Sequence, residues 1–441
     1  MKKYNVLVYG SGAREHALAF NISQSPLLNK LFLALPNDGF KHLGQEIGVE
    51  KDDEIDLVVI GPEAPLIDGI VDYFKKCGIK CIGADKKWAQ LEGSKSFAKE
   101  FMKKHDIPTA KYFVITKGQE VNGKWEMENG KLESCRLGFL PQQIITPIVI
   151  KADGLCGGKG VCICETIKDA KKTVDEFLSG KWGKASEKVI VEEKLEGEEI
   201  SVMSLFDGET LLSFIPARDY KKLNLGQNAP NTGGMGAFCP VELTTQQEKD
   251  LKDYLKKLET ALKEEKTDFT GVIYSGLILT QDGIKVLEYN MRFGDPEIQA
   301  LLCHLNCDIL EVFIKASEKK LNEVELKWKE GISVAVVVAS QGYPENPKIG
   351  FEIKGVEQAC EKHGTQVFYA GVKQGKRKKG KGNGKIFHLP FTIHNSLLSN
   401  GGRVLTVCKT ESIVEQAREK IYKTIDEIEF KDKIYRNDIG L

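Results

Sequence analysis

The feature that most narrows the possible folds is Asn5-Val-Leu-Val-Tyr9 running directly into Gly10-Ser-Gly-Ala-Arg-Glu-His16. A short apolar run, a glycine turn and a helical stretch through Ala19 make a strand–turn–helix unit. Such a unit presents free N–H groups at a helix N-terminus, where an anion can be held. A second apolar run, Ile55-Asp-Leu-Val-Val-Ile60, leads into Gly61-Pro-Glu-Ala-Pro65. Its composition suits a parallel strand covered on both faces, with a ligand loop at its carboxyl end. Cys81-Ile-Gly83 reads as another strand end, and the whole predicts an open α/β domain to about Pro108. Glu15 stands where a dinucleotide fingerprint would carry its third glycine. The loop therefore suits the phosphate of a smaller substrate as well as a cofactor. Glu63 is placed either to hold a ribose hydroxyl or to cap the helix that follows.

Leu91–Met102 reads as an amphipathic helix with Lys95 in its first turn, a position unfavourable to a cation unless an anion lies nearby. Ile148-Val-Ile-Lys-Ala-Asp-Gly-Leu-Cys-Gly-Gly-Lys-Gly-Val161 combines a strand ending in Lys151 with a glycine-rich loop carrying Lys159. Glycines let backbone N–H groups approach phosphates and lysines supply point charges. Asp153 and Gly160 rule out a Walker A loop. Lys188–Val202 reads as strand, acidic linker, strand, able to present backbone groups to an adenine edge. Val286-Leu-Glu-Tyr-Asn-Met-Arg-Phe-Gly-Asp-Pro-Glu297 predicts a strand, then a turn, then a helix with Pro296 at its first position. On that strand Glu288 and Asn290 share a face, and two hard oxygens side by side suit magnesium. Arg292 adds a fixed positive charge, which a phosphoryl group in transfer requires.

Lys+Arg and Asp+Glu both number 63, and a balanced surface has no general attraction for nucleic acid or membrane. The 11 cysteines lack small-domain spacing and read as reduced thiols of a cytoplasmic protein. Cys162-Ile-Cys164 and Cys303–Cys307 lack the paired spacing of a structural zinc site and read as core thiols. No apolar run reaches the roughly 18 residues of a membrane span. Ile332–Ala339 opens a new segment, so a boundary is expected near Gly331. Further strands are expected at Thr365–Tyr369 and Arg403–Val407, with an amphipathic helix over Glu411–Ile428. The Lys373–Lys385 run reads as a solvated hairpin loop. Neither it nor the stretch from Gly118 to Pro147, with Trp125, Phe139 and Pro141, suggests a function.

Several of these stretches, in this order, resemble the phosphoribosylamine–glycine ligase family of ATP-grasp enzymes. The resemblance runs from Gly10–His16 through Gly61–Leu66, Leu91–Lys95, Lys151–Gly154, Pro230-Asn-Thr-Gly-Gly-Met-Gly236, Glu288–Glu297 and Gly401-Gly-Arg-Val-Leu405 to Tyr435–Gly440. It implies an open α/β domain (1–108), an ATP-grasp domain (109–330, lid about 112–193) and a small mixed C-terminal domain (331–441). By resemblance, Lys95, Lys151, Lys159 and the glycines Gly157, Gly158 and Gly160 would contact ATP phosphates. Glu192 and Glu193 would lie at the adenine hinge and Glu199 on the ribose. Glu288 and Asn290 would bind magnesium or manganese, helped by phosphates and water, because Tyr274–Ile278 offers no further carboxylate. Arg292 would face the transferring phosphate, with Lys151 and Asp295 assisting. Gly10, Ser11, Gly12, Arg14 and Glu15 would hold the 5′-phosphate of phosphoribosylamine, and Glu63 its ribose. Asp219 and Lys221 belong to a substrate segment in which Tyr220 replaces the family's histidine. The N–H groups of Asn231, Thr232, Gly233 and Gly234 would line a small carboxylate site.

The expected activity is ATP-dependent joining of glycine to 5-phosphoribosylamine through glycyl phosphate, by a monomer or weak homodimer. The nearest alternative is an ATP-grasp carboxylate–amine ligase with another acceptor. A nicotinamide oxidoreductase is disfavoured by Glu15. A silent nucleotide sensor is disfavoured by Glu288, Asn290 and Arg292 occurring together.

Overall fold

The structure is a computed structural model that describes residues 2–48, 54–118, 147–157, 159–226, 229–375 and 396–441. Most of the two long extensions and Gly158 lie outside the described residues.

The N-terminal region is a parallel sheet of five strands, in spatial order Gln45–Glu46, Leu28–Ala34, Tyr4–Tyr9, Leu57–Ile60, Lys80–Ile82. Leu57-Val-Val-Ile60 is buried at every position, as a strand covered on both faces should be. The chain reverses direction across the sheet between Tyr4–Tyr9 and Leu57–Ile60, and a crevice opens at their carboxyl ends.

Two antiparallel sheets follow. One carries Tyr112–Thr116, Lys188–Glu193, Ile148–Ala152 and Val161–Cys164, backed by the helix Ile167–Glu176. The other carries Leu211–Ser213, Glu198–Phe206, Gly271–Thr280 and Gly283–Asn290, with the helix Thr245–Glu264 against it. That helix starts cleanly because Thr244 and Gln247 cap each other reciprocally, at 3.3 and 2.9 Å. A further sheet is centred on Ile332–Ser340, buried along almost its whole length. Arg403–Glu411 and Gln366–Tyr369 lie on one side of it, and Gly236–Cys239 and Arg218–Asp219 on the other.

The regions share cores rather than touching at edges. One cluster joins Val6 and Leu33 to Leu301 and Phe313, and on to Phe368 and Cys408. Each such side chain contributes about 1.5–3 kcal/mol on burial, which fixes the regions against one another. His16 reinforces this joint. Its ring stacks on Phe40 at 5.0 Å, and its Nδ1 accepts the Tyr369 N–H at 2.8 Å. Burial lowers its pKa to about 3.

Two local expectations change. The helix expected over Leu91–Met102 is two, Gln90–Gly93 and Lys95–Lys104, because Ser94 turns extended and caps the second through Phe97 N–H. The helix after Gly294 begins at Glu297, with Pro296 as the residue preceding it. All ten described cysteines are free thiols. Among the described residues no helix is long and apolar enough to cross a membrane.

Candidate active site

One cleft of about 1870 Å³ runs between the crevice of the parallel sheet and the two antiparallel sheets. At its floor lie the turns after Tyr9 and Ile60. Glu15 is only 1% exposed. Its carboxylate accepts the Gly12 N–H at 2.5 Å and Arg14 Nε at 2.6 Å. A Cβ at Gly61 would stand 1.9 Å from that carboxylate, and one at Gly10 2.7 Å from the Glu15 side chain. Glu15 thus fills the space between both turns and shapes the loop from behind. Gly10, Ser11, Gly12 and Arg14 share the cleft wall with it. Arg14 also donates to Phe293 O at 3.0 Å, tying the loop to the turn before Glu297.

Arg292 is surrounded by acceptors. Its Nη2 donates to Asn290 Oδ1 at 3.3 Å, and its Nε lies 3.2 Å from Glu92 and 3.5 Å from Glu63. The Nε contacts are ion pairs without a straight hydrogen bond. Burial pushes the Glu92 carboxyl up, and its other oxygen accepts the Met291 N–H at 2.7 Å. Glu63 is held below the usual carboxylate range, since Arg292 and Arg14 outweigh its burial.

Glu288 and Asn290 stand opposite Gly276 and Tyr274 on the neighbouring strand and project from one face. Burial works to raise Glu288, but Lys221, Lys151, Lys95 and Arg292 hold it below the usual carboxylate range. Lys221 lies 3.7 Å from Glu288 and 3.3 Å from Glu199. Among the described residues no group of three or more His, Cys, Asp or Glu is arranged for a metal. A divalent ion beside Glu288 and Asn290 would be offered one carboxylate and one amide oxygen. That donor set fits an ion of the magnesium type, which keeps waters and phosphate oxygens in its shell.

The helix that begins at Lys95 finds an anion for its first turn within the chain. Asp153 accepts the Ser96 N–H at 2.6 Å and Ser96 Oγ at 2.9 Å, capping the helix, while Lys95 Nζ donates to Gly154 O at 3.0 Å. Glu192 is buried between two lysines, 2.9 Å from Lys151 Nζ and 3.2 Å from Lys99 Nζ. Its carboxylate serves them, and its backbone lies within the sheet, opposite Tyr112 on one side and Val149 on the other. Glu193 turns its carboxylate to the Lys111 N–H at 2.9 Å. Gly157 and Gly160 line the cleft. Lys159 reaches the other way, donating to Pro344 O at 3.4 Å.

The turn from Asn231 to Gly234 differs from expectation. Its Gly233 N–H donates to Tyr343 Oη at 3.0 Å and its Gly234 N–H to Thr232 Oγ1 at 3.1 Å. These donors hold the turn's shape, and the cleft is lined by Asn231, Thr232 and Gly233. Arg403 donates to Gly233 O, and to Asp295 O at 2.7 Å while pairing with Asp295 Oδ2 at 3.0 Å. Burial pushes Asp295 up, but Arg403, Arg14 and a Gln299 hydrogen bond leave it below the usual carboxylate range. Asp219 has a buried oxygen, Oδ1, with no hydrogen-bond partner. Burial and nearby Glu297 raise its carboxyl well above the usual range. Tyr220 points away from the cleft. Its hydroxyl accepts the Gly440 N–H at 3.0 Å and meets Leu441 O at 3.1 Å.

Sequence reasoning passed over Glu92, Lys99, Glu297 and Arg403, all of which line the cleft. Lys99 had a signal, lying four residues after Lys95 and so on the same helical face. Glu92 and Arg403 lay inside recognised stretches without an assigned role.

Comparison with known proteins agrees along the whole chain. Residues 4–92, 93–298 and 333–441 match the N, ATP-grasp (A) and C domains of phosphoribosylglycinamide synthetase. A phosphoribosylamine–glycine ligase of Clostridium acetobutylicum is 39% identical, covering 99% of both chains. One of Brucella melitensis is 37% identical, covering 99% of this chain and 97% of its own. The crystal structure of a phosphoribosylamine–glycine ligase from Thermotoga maritima superposes with a TM-score of 0.79 at 30% identity, over 99% of this chain and 100% of the other. A biotin carboxylase domain from Hydrogenobacter thermophilus, 15% identical with a TM-score of 0.64 over 98% of this chain and 92% of its own, shares the fold. With its three domains in family order and its cleft built from the family's stretches, the chain belongs to the phosphoribosylglycinamide synthetase (phosphoribosylamine–glycine ligase) family.

Proposed function

We propose that the cleft joins glycine to 5-phosphoribosylamine at the expense of ATP, giving N1-(5-phosphoribosyl)glycinamide, ADP and phosphate in purine biosynthesis. The supporting observation is convergence: an anion-type loop, a lysine pair and a two-oxygen strand with Arg292 beside it all face one space. A carboxylate is a poor electrophile, so a glycine oxygen first attacks the γ-phosphorus and ADP leaves. The amine nitrogen of the ribosylamine then attacks the acyl carbon of glycyl phosphate, loses a proton, and phosphate leaves.

In this reading Lys151 and Lys95 bind the ATP phosphates, and Arg292 lies beside the phosphoryl group in flight, held in aim by Glu92 and Glu63. Magnesium or manganese, held by Glu288 and Asn290, would neutralise charge on the phosphates. Asp219, with its orphaned oxygen, suits the ammonium group of glycine, and Lys221 its surroundings. The loop Gly10–Arg14 takes the 5′-phosphate and Glu63 the ribose. The glycine-rich loop shields the acyl phosphate from water. We further propose that its ligands are small molecules, without nucleic acid or membrane, and that the protein acts in the cytoplasm as a monomer or weak homodimer.

ADP release by purified protein with ATP, Mg²⁺ and glycine, with and without freshly generated phosphoribosylamine, tests the reading. ADP that requires both supports it. ADP with another amine or carboxylate instead overturns the acceptor and keeps the ligase chemistry.

A further inference from the structure

Leu35 combines three observations. Its φ is +60°, a left-handed conformation that is strained for a residue with a Cβ and that glycine adopts freely. Its side chain is 62% exposed, so no packing in the protein explains a large apolar group there. It lies on the cleft wall, at the carboxyl end of Leu28–Ala34, next to the strand that feeds Gly10. Residues on either side of it grip that loop. Ala34 O accepts the Gly10 N–H at 3.0 Å, and Asn37 Nδ2 donates to Ser11 O at 2.7 Å. A strained and exposed residue is thus held firmly beside the anion loop, a pattern found where a side chain is kept for a ligand.

Resting on the ligase reading, we infer that Leu35 is a specificity residue for the acceptor: its side chain packs against the sugar of the bound phosphoribosylamine. The loop Gly10–Arg14 supplies polar contacts to the phosphate, and Leu35 supplies an apolar wall to the adjacent ribose. Burial of the leucine is completed only when the sugar is present, so its contribution falls on acceptor binding and not on ATP.

The experiment is steady-state kinetics of Leu35→Ala, Leu35→Met and Leu35→Gly, with melting temperatures. L35A keeps a Cβ in the left-handed conformation but loses the contact. Its KM for phosphoribosylamine should rise about tenfold, with kcat and the KM for ATP within about twofold of wild type. L35M restores apolar volume and should return the acceptor KM to the wild-type range. L35G should raise the melting temperature while showing the same KM defect as L35A. An L35A acceptor KM equal to wild type overturns the contact, as does a rise matched by the KM for ATP. Wild-type protein that releases no acceptor-dependent ADP overturns the ligase reading itself, and this inference with it.

Discussion

Glu192→Gln tests the electrostatics of the cleft most directly. Glu192 lies 3.2 Å from Lys99 Nζ and 2.9 Å from Lys151 Nζ, and none of the three side chains is more than 10% exposed. Burial lowers the Lys99 pKa to about 8 from an ordinary 10.5, against the opposing pull of Glu192. At about 1.4 kcal/mol per pH unit, keeping Lys99 charged in that setting costs on the order of 3 kcal/mol near neutral pH. Glutamine preserves the shape and removes the only charge between the two ammonium groups. Breaking a buried pair by removing one partner costs about 3–5 kcal/mol. The sign with pH follows from the lysine. The unfolded chain binds more protons than the folded one from the folded pKa of about 8 up to 10.5, so stability rises with pH across that window. In E192Q the window opens lower, because Lys99 loses its counter-ion. The variant should therefore be destabilised by about 3–5 kcal/mol near pH 7 and recover part of that deficit by about pH 9. The assay is amide hydrogen exchange in Ile148–Ala152 and Lys188–Glu193, the strands that carry Lys151 and Glu192. Protection within about 1 kcal/mol of wild type at both pH values, below the cost expected for a broken buried pair, would refute the account of a charged, buried triad.

Three other outcomes are expected. Glu288→Ala should keep the melting temperature and lose most divalent-dependent turnover; unchanged activity would remove the metal assignment. Arg403→Lys loses the fork that holds Asp295 and Gly233, so kcat/KM should fall on the order of 10- to 100-fold, with the KM for ATP unchanged; wild-type kinetics would show that the fork positions nothing. Wild-type stability should fall as pH drops from 6.5 toward about 3, because the unfolded chain protonates His16 first, at up to about 1.4 kcal/mol per pH unit. His16→Gln should flatten that slope in urea midpoints measured against pH, and an identical slope would exclude His16 as its source.

What the sequence determined by itself was local. Apolar runs such as Leu57–Ile60 and Ile332–Ser340 are strands because their residues favour extended structure and tolerate burial on both faces. Glycine runs read as close-approach loops because only a residue without Cβ fits beside Glu15 at Gly10 and Gly61. The alternation of Glu288 and Asn290 placed both on one face without any tertiary information. The break at Ser94 escaped notice because a helical pattern on either side hid a capping residue.

Only the tertiary structure decided which charges meet. Ser96 and Asp153 are 57 residues apart, and Met291 and Glu92 are 199 apart, yet two hydrogen bonds join the first pair and one joins the second. Nothing in local spacing encodes such a contact. The same holds for side chains the sequence pointed at ligands. Glu15, Glu192 and Glu193 spend their carboxylates on the protein. Period and propensity act over a few residues, whereas an ion pair acts over about 3 Å of space. Which residues come within that distance is settled by how the sheets pack.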